Sequence, residues 1–217
     1  MTCLDAAYIT WADDWNFPKY LLECKTGEES TVTEQAMPNP VELYGEAVKN
    51  TRQIIANVKS GQMSAPTPCG EWDVKAPIDH ILEGTMFFAG TLAGEEPGQA
   101  GGGGSPAELY RSSAEKVLEE AMNPGKMEKK YQTPFGEMSG GEFMFGAFMD
   151  NLVHGWDLTK ATGQNTDLNE GHAQAVFGAF APMMDGMRQG GAFGPEVSVP
   201  EDAGVQHKML GMMGRQP

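Results

Sequence analysis

Apolar positions recur every three to four residues along much of this chain, a period that predicts helices rather than strands. Tyr44, Ala47, Val48, Thr51, Ile54, Ile55 and Val58 form one such stripe, ending at Ser60-Gly61. It opens on Asn39 as N-cap, Pro40 in the first helical position and Glu42 in a box-like start. A second stripe, Ile78, Ile81, Leu82, Thr85, Phe88 and Leu92, predicts another helix. Pro77 belongs in its first turn, because in a helix interior proline costs about 3 kcal/mol. Ser105-Pro106-Ala107-Glu108 joins a capping box to an N1 proline, and opens a third helix through Tyr110, Ala114, Val117, Leu118 and Ala121. Asn123-Pro124-Gly125 stops it. Ser139-Gly140-Gly141-Glu142 caps a fourth helix that runs to Thr162-Gly163. A fifth starts at Asn169, carries Val176, Phe177, Phe180, Met184 and Met187 with a kink at Pro182, and ends at Gly190-Gly191. An extended piece from Glu196 to Val199 precedes a last helix reaching Gly214.

The period changes in only a few places. Between Lys126 and Met138 it shortens to alternation around Pro134-Phe135-Gly136, which predicts a small hairpin. Glu95 to Gly104 includes four consecutive glycines and reads as a permissive loop. Residues 1–38 differ from the rest: Tyr8, Trp11, Trp15 and Phe17 fit a short amphipathic helix, and Lys25 to Gln35 a polar linker. They are read as an N-terminal extension, and a natural start at Met37 is a live alternative. Residues 39–217 are read as one all-α helical bundle.

Fifteen basic against thirty acidic residues give a formal charge of −15, which removes a basic nucleic-acid footprint and disfavours anionic membrane surfaces. No apolar run is long enough to span a bilayer, and Met1-Thr2-Cys3-Leu4-Asp5 lacks the basic start of a secretory signal. Three cysteines, none at CxxC spacing, form no closed disulfide framework and suggest a reducing cytoplasm.

The fourth helix holds the chemistry. Asp150 and His154 are four residues apart and share a face, with Asp157 one turn further on. The stripe continues backward through Phe143 and Ala147, so the face points into the bundle, where ionisable groups are costly unless paired or metal-bound. A simple aspartate–histidine hydrogen bond would satisfy both groups, and so would a divalent cation. His80, near the start of the second helix with Gly84 four residues on, is the third candidate ligand. Two helices supplying three ligands would leave a zinc ion one open position, as catalytic sites do. His172 and His207 read as surface residues. Cys69 fits a buried small hydrophobe better than a nucleophile or ligand. The methionines at 183, 184, 187, 209, 212 and 213 read as core filler rather than a copper site. No dinucleotide fingerprint, phosphate loop, G-x-S-x-G elbow or H-E-x-x-H motif is present.

Thr67-Pro68-Cys69-Gly70-Glu71-Trp72-Asp73-Val74, followed by His80, resembles the entry to the second helix in the mycothiol-dependent maleylpyruvate isomerase metal-binding family, part of the DinB-like four-helix-bundle superfamily. Val153-His154-Gly155-Trp156-Asp157-Leu158, with Ala161-Thr162-Gly163, resembles its second ligand helix. Phe193-Gly194-Pro195-Glu196-Val197, Val199-Pro200 and Gly214-Arg215-Gln216-Pro217 resemble an actinobacterial branch. The likeness runs from about residue 39 to the end. It implies a DinB-like four-helix bundle with a small hairpin and additional C-terminal helices. It also implies a divalent metal, usually zinc, on His80, Asp150 and His154, with Asp157 orienting a ligand. Many relatives carry Glu or His where this chain has Asp150, so a shorter side chain must reach the metal. Relatives use the metal to activate a low-molecular-weight thiol, mycothiol in actinobacteria, against an electrophile. The isomerase itself carries an additional C-terminal domain, whereas about fifty residues follow Gly163 here, so thiol S-transfer or another metal-dependent reaction is expected rather than maleylpyruvate isomerisation. A non-catalytic metal- or small-ligand-binding bundle is the alternative. The expected partners are the thiol and the electrophile, with a homodimer left open.

Overall fold

The computed structural model describes residues 39–70, 72–95, 104–134 and 136–217. The N-terminal extension, Glu71, most of the glycine loop and Phe135 lie outside the described residues. Helix α1 spans Pro40–Asn57, α2 Lys75–Ala93, α3 Pro106–Ala121 and α4 Gly140–Thr162. Local chemistry accounts for where each begins. The Asn39 side chain accepts the Val41 N–H at 2.9 Å, and reciprocal capping boxes link Ser105 with Glu108 and Ser139 with Glu142. Pro77 falls in the first turn of α2, where its missing N–H removes no helical bond.

Helices α1 and α2 each pack against both α3 and α4, which makes a four-helix bundle. Its core includes Tyr44, Tyr110, Phe143, Phe148 and Trp156, and Phe143 and Phe148 each contribute on the order of 1.5–3 kcal/mol by leaving water. One polar chain crosses it: Tyr110 donates to Asn151 Oδ1 at 2.5 Å, and Asn151 Nδ2 donates to the Ala147 carbonyl at 2.8 Å.

Strands β1 (Lys130–Thr133) and β2 (Gly136–Ser139) pair antiparallel, with buried Tyr131 opposite buried Met138. The hairpin is shorter than the alternation suggests, because residues 126–129 form turns. Those turns lie against the start of α4. A Cβ on Gly140 would fall 2.1 Å from the Lys126 carbonyl oxygen, so no side chain fits there.

Past α4 the structure departs further from the sequence pattern. The expected kinked fifth helix is two helices, α5 (Glu170–Phe180) and α6 (Met184–Gln189), separated by a 3-10 turn at Ala181–Met183. Pro182 lacks the N–H that a continuous helix would use, so the chain breaks instead of bending. Among the described residues the piece at 196–199 pairs with no strand; Val197 N–H donates to the Gly211 carbonyl at 2.9 Å, laying it along α7 (Val205–Met212). Met184, Met187, Met209, Met212 and Met213 are buried, as core filler should be. Among the described residues no helix is long and apolar enough to cross a membrane.

Candidate metal centre

His80 on α2 meets Asp150 and His154 on α4. His80 Nε2 lies 3.1 Å from Asp150 Oδ1, and His154 Nε2 lies 3.6 Å from the same oxygen. One donor atom from each residue lies within 4.8 Å of the other two. Two ligands about 2.1 Å from a tetrahedral ion stand roughly 3.4 Å apart, so both measured separations suit a shared cation. Two imidazoles and a carboxylate are also a donor set that zinc accepts. The residues present therefore fit the group.

The second ring nitrogen of His154 is engaged elsewhere. His154 Nδ1 lies 3.0 Å from Asp157 Oδ2, which fixes the ring and leaves Nε2 toward Asp150. Asp157 is completely buried and is gripped by Arg215, whose Nε and Nη2 donate to Oδ1 at 3.3 Å and Oδ2 at 2.9 Å. Arg215 also donates through Nη1 to the Met213 carbonyl two residues back at 2.8 Å, and its pair with Asp157 ties the C-terminal segment to the centre.

The connector before α2 supplies a lid for the rings. Thr67 N and Oγ1 both donate to the Trp72 carbonyl, at 3.0 and 2.9 Å, and Trp72 N donates to the Cys69 carbonyl at 3.1 Å. This tight loop turns through Gly70 at φ 58°, a conformation that favours glycine. It places the Trp72 ring parallel to His154, centroids 5.5 Å apart, and tilted against His80 at 5.3 Å.

These contacts set the charge states. Burial pushes His80 downward, but the Asp150 charge and hydrogen bond outweigh it and hold the imidazole above its ordinary value. Burial likewise pushes Asp150 upward, yet His80 beside it brings its carboxyl below the usual range. Asp157 is also held low, the Arg215 charge and the His154 hydrogen bond overcoming burial.

A cavity of about 440 Å³ opens beside the cluster. His80, Asp150 and His154 line it together with an apolar wall that includes Phe87, Phe88, Phe143, Met149, Phe180 and Phe193.

Other expectations fare unevenly. His207 is exposed, as expected. His172 is not a surface residue: its side chain is 13% exposed, it meets the Phe148 ring edge-on at 5.2 Å, and its Nε2 lies 2.9 Å from Glu46 Oε2. It ties α5 to α1 and α4, contacts too distant in sequence for helical spacing to reveal. Cys69 is buried, as expected, and its sulfur accepts an Arg215 N–H at 3.4 Å. Cys69, His154 and Asp157 also lie within mutual reach, yet Arg215 already donates to both Cys69 and Asp157. Trp72 and Arg215 have roles that spacing did not assign, although both stand in the quoted motifs.

Residues 44–159, from within α1 to the last turn of α4, match the mycothiol maleylpyruvate isomerase N-terminal domain. Among curated proteins the chain is similar to two uncharacterized proteins of Mycobacterium tuberculosis, from strains CDC 1551 / Oshkosh and ATCC 25618 / H37Rv. Each is 32% identical over 133 residues, which cover 60% of this chain and 71% of the relative. No solved structure matches. With its helical bundle and its histidine–aspartate cluster, the chain belongs to the mycothiol maleylpyruvate isomerase N-terminal domain family, a DinB-like family of metal-binding helical proteins.

Proposed function

We propose that this protein is a metal-dependent enzyme of thiol S-transferase type, in which His80, Asp150 and His154 hold one divalent cation, zinc by donor chemistry. The observation that carries the reading is the convergence of three donors from two helices on the lining of a cavity large enough for a substrate. A bound divalent metal would supply Lewis acidity, lowering the pKa of a low-molecular-weight thiol of the mycothiol class so that a nucleophile exists at neutral pH.

The remaining chemistry belongs to the chain. Asp157 holds His154 in the tautomer that presents Nε2, and Arg215 keeps Asp157 ionised in its buried position. Trp72 covers the two imidazole rings, and the phenylalanine wall keeps water from the reacting thiol.

Monochlorobimane conjugation with a panel of thiols tests this reading, using chelator-treated protein as the control. Metal-dependent turnover with mycothiol supports it. Metal binding without turnover of any thiol would leave a non-catalytic binding bundle. The direct His80–Asp150 contact at 3.1 Å favours a further reading, an ion-free structural pair. It predicts that purified protein takes up no metal.

A further inference from the structure

The cavity beside the three donors carries information about the second substrate. Helices α2 and α4 run antiparallel along it: His80 faces Asp150 at one end, and Phe88 meets Phe143 at 4.3 Å between ring centroids at the other. Seven to eight residues separate the two ends on each helix, roughly 10–12 Å at the helical rise. An aromatic wall therefore begins about one small ring system away from the donors. Phe87 closes it by meeting Phe143 edge-on at 5.9 Å.

Charge is distributed just as unevenly. Among the described residues lining the cavity, the charged side chains other than the histidines are Glu83, Asp150 and Arg215. Arg215 is paired through two nitrogens with buried Asp157, so its cation is already neutralised. The two lining carboxylates balance the charge of the proposed cation, and an anionic ligand seated against the phenylalanine wall finds no unpaired arginine or lysine among the lining residues. The chain's formal charge of −15 acts in the same direction at longer range. Burying an unpaired charge against phenylalanine is costly, whereas burying a neutral ring is favourable.

We infer that the cavity takes an uncharged, aromatic-sized electrophile and rejects anionic ones. The inference rests on the thiol-transfer reading for the role of that ligand, but the selectivity of the cavity is independent of it. With a haloarene as the example, the sulfur–carbon bond forms as the carbon–halogen bond breaks. The halide leaves with the bonding electron pair, and the thiol proton passes to solvent.

Unreactive probes separate this inference from the metal chemistry. Acetonaphthone and naphthalenesulfonate share one ring system and differ in charge, and a sulfonate is a weak metal ligand. In calorimetric titrations of zinc-loaded and metal-free protein, the ketone is expected to bind at least tenfold more tightly than the sulfonate. Gly146 locates the binding: it lines the cavity one turn before Asp150, and a Cβ there would meet nothing within 4 Å. Gly146→Leu should fold, keep its zinc stoichiometry and lose ketone affinity by tenfold or more. Equal or tighter sulfonate binding overturns the inference, as does ketone binding that Gly146→Leu leaves intact. If zinc fails to bind while the ketone result holds, the thiol-transfer reading falls and the cavity assignment stands. If thiol transfer is found together with a preference for the sulfonate, the reverse follows.

Discussion

Replacing Arg215 with methionine keeps much of the buried volume and removes the cation paired with Asp157. The Asp157 side chain is 0% exposed and that of Arg215 is 6% exposed. The change deletes two N–H donors to the carboxylate, at 3.3 and 2.9 Å, and leaves it the His154 contact at 3.0 Å. Removing one partner of a buried pair costs about 3–5 kcal/mol, because the other charge stays desolvated. Metal-free Arg215→Met should lose that much stability in urea unfolding near neutral pH, followed by circular dichroism. Arg215 and the His154 hydrogen bond hold the Asp157 carboxyl below its ordinary 3.8 despite burial. The stabilisation is therefore fully present above that value and is lost as pH falls through the folded pKa. The gap between wild type and variant should narrow in acid. Zinc affinity is the second readout. A loosened His154 should weaken it about 10–100-fold in competition with a chromophoric chelator. A stability loss under about 1 kcal/mol, the worth of an ordinary hydrogen bond, together with unchanged zinc affinity, would refute the relay from Arg215 through Asp157 to His154.

Two glycines on α4 should respond in opposite ways. Gly140→Ala forces a Cβ to within 2.1 Å of a backbone oxygen and should cost about 1–3 kcal/mol or more in thermal or urea unfolding. Gly146→Ala meets nothing within 4 Å and should gain up to about 1 kcal/mol from helix propensity alone. At the same helix start, burial pushes the Glu142 carboxyl up, but its hydrogen bonds to Ser139 prevail and hold it below its ordinary 4.5. Glu142→Gln should therefore cost about 1 kcal/mol near neutral pH, a difference that disappears as unfolding is repeated at pH values falling through the folded pKa.

What the sequence revealed follows the range of the interactions involved. Ser105 with Glu108 and Ser139 with Glu142 are three residues apart, and both capping boxes form as the pattern predicts. Asp150 and His154 share a face because helical geometry requires it, and His80 is legible as a third candidate ligand from its place near the start of the second helix with Gly84 four residues on, a reading the family motif shares. Arg215 lies 58 residues beyond Asp157, a distance for which no local rule exists. The Glu46–His172 contact spans 126 residues, beyond the reach of any local pattern. The cavity wall draws on side chains from α2, α4, α5 and the segment after α6, each of which reads as ordinary core in its own stretch. Pro182 marks a disturbance in the helical pattern, and how far it disrupts the helix depends on packing with distant segments.

The central claim is that three side chains from two helices share one cation. Titrating chelator-treated protein with zinc, beside His80→Ala and His154→Ala, tests it most directly. The account predicts one tight site per chain in the wild type, abolished in both variants while their helical circular dichroism persists. Absence of tight zinc binding in the wild type, or full stoichiometric binding in either variant, would contradict it.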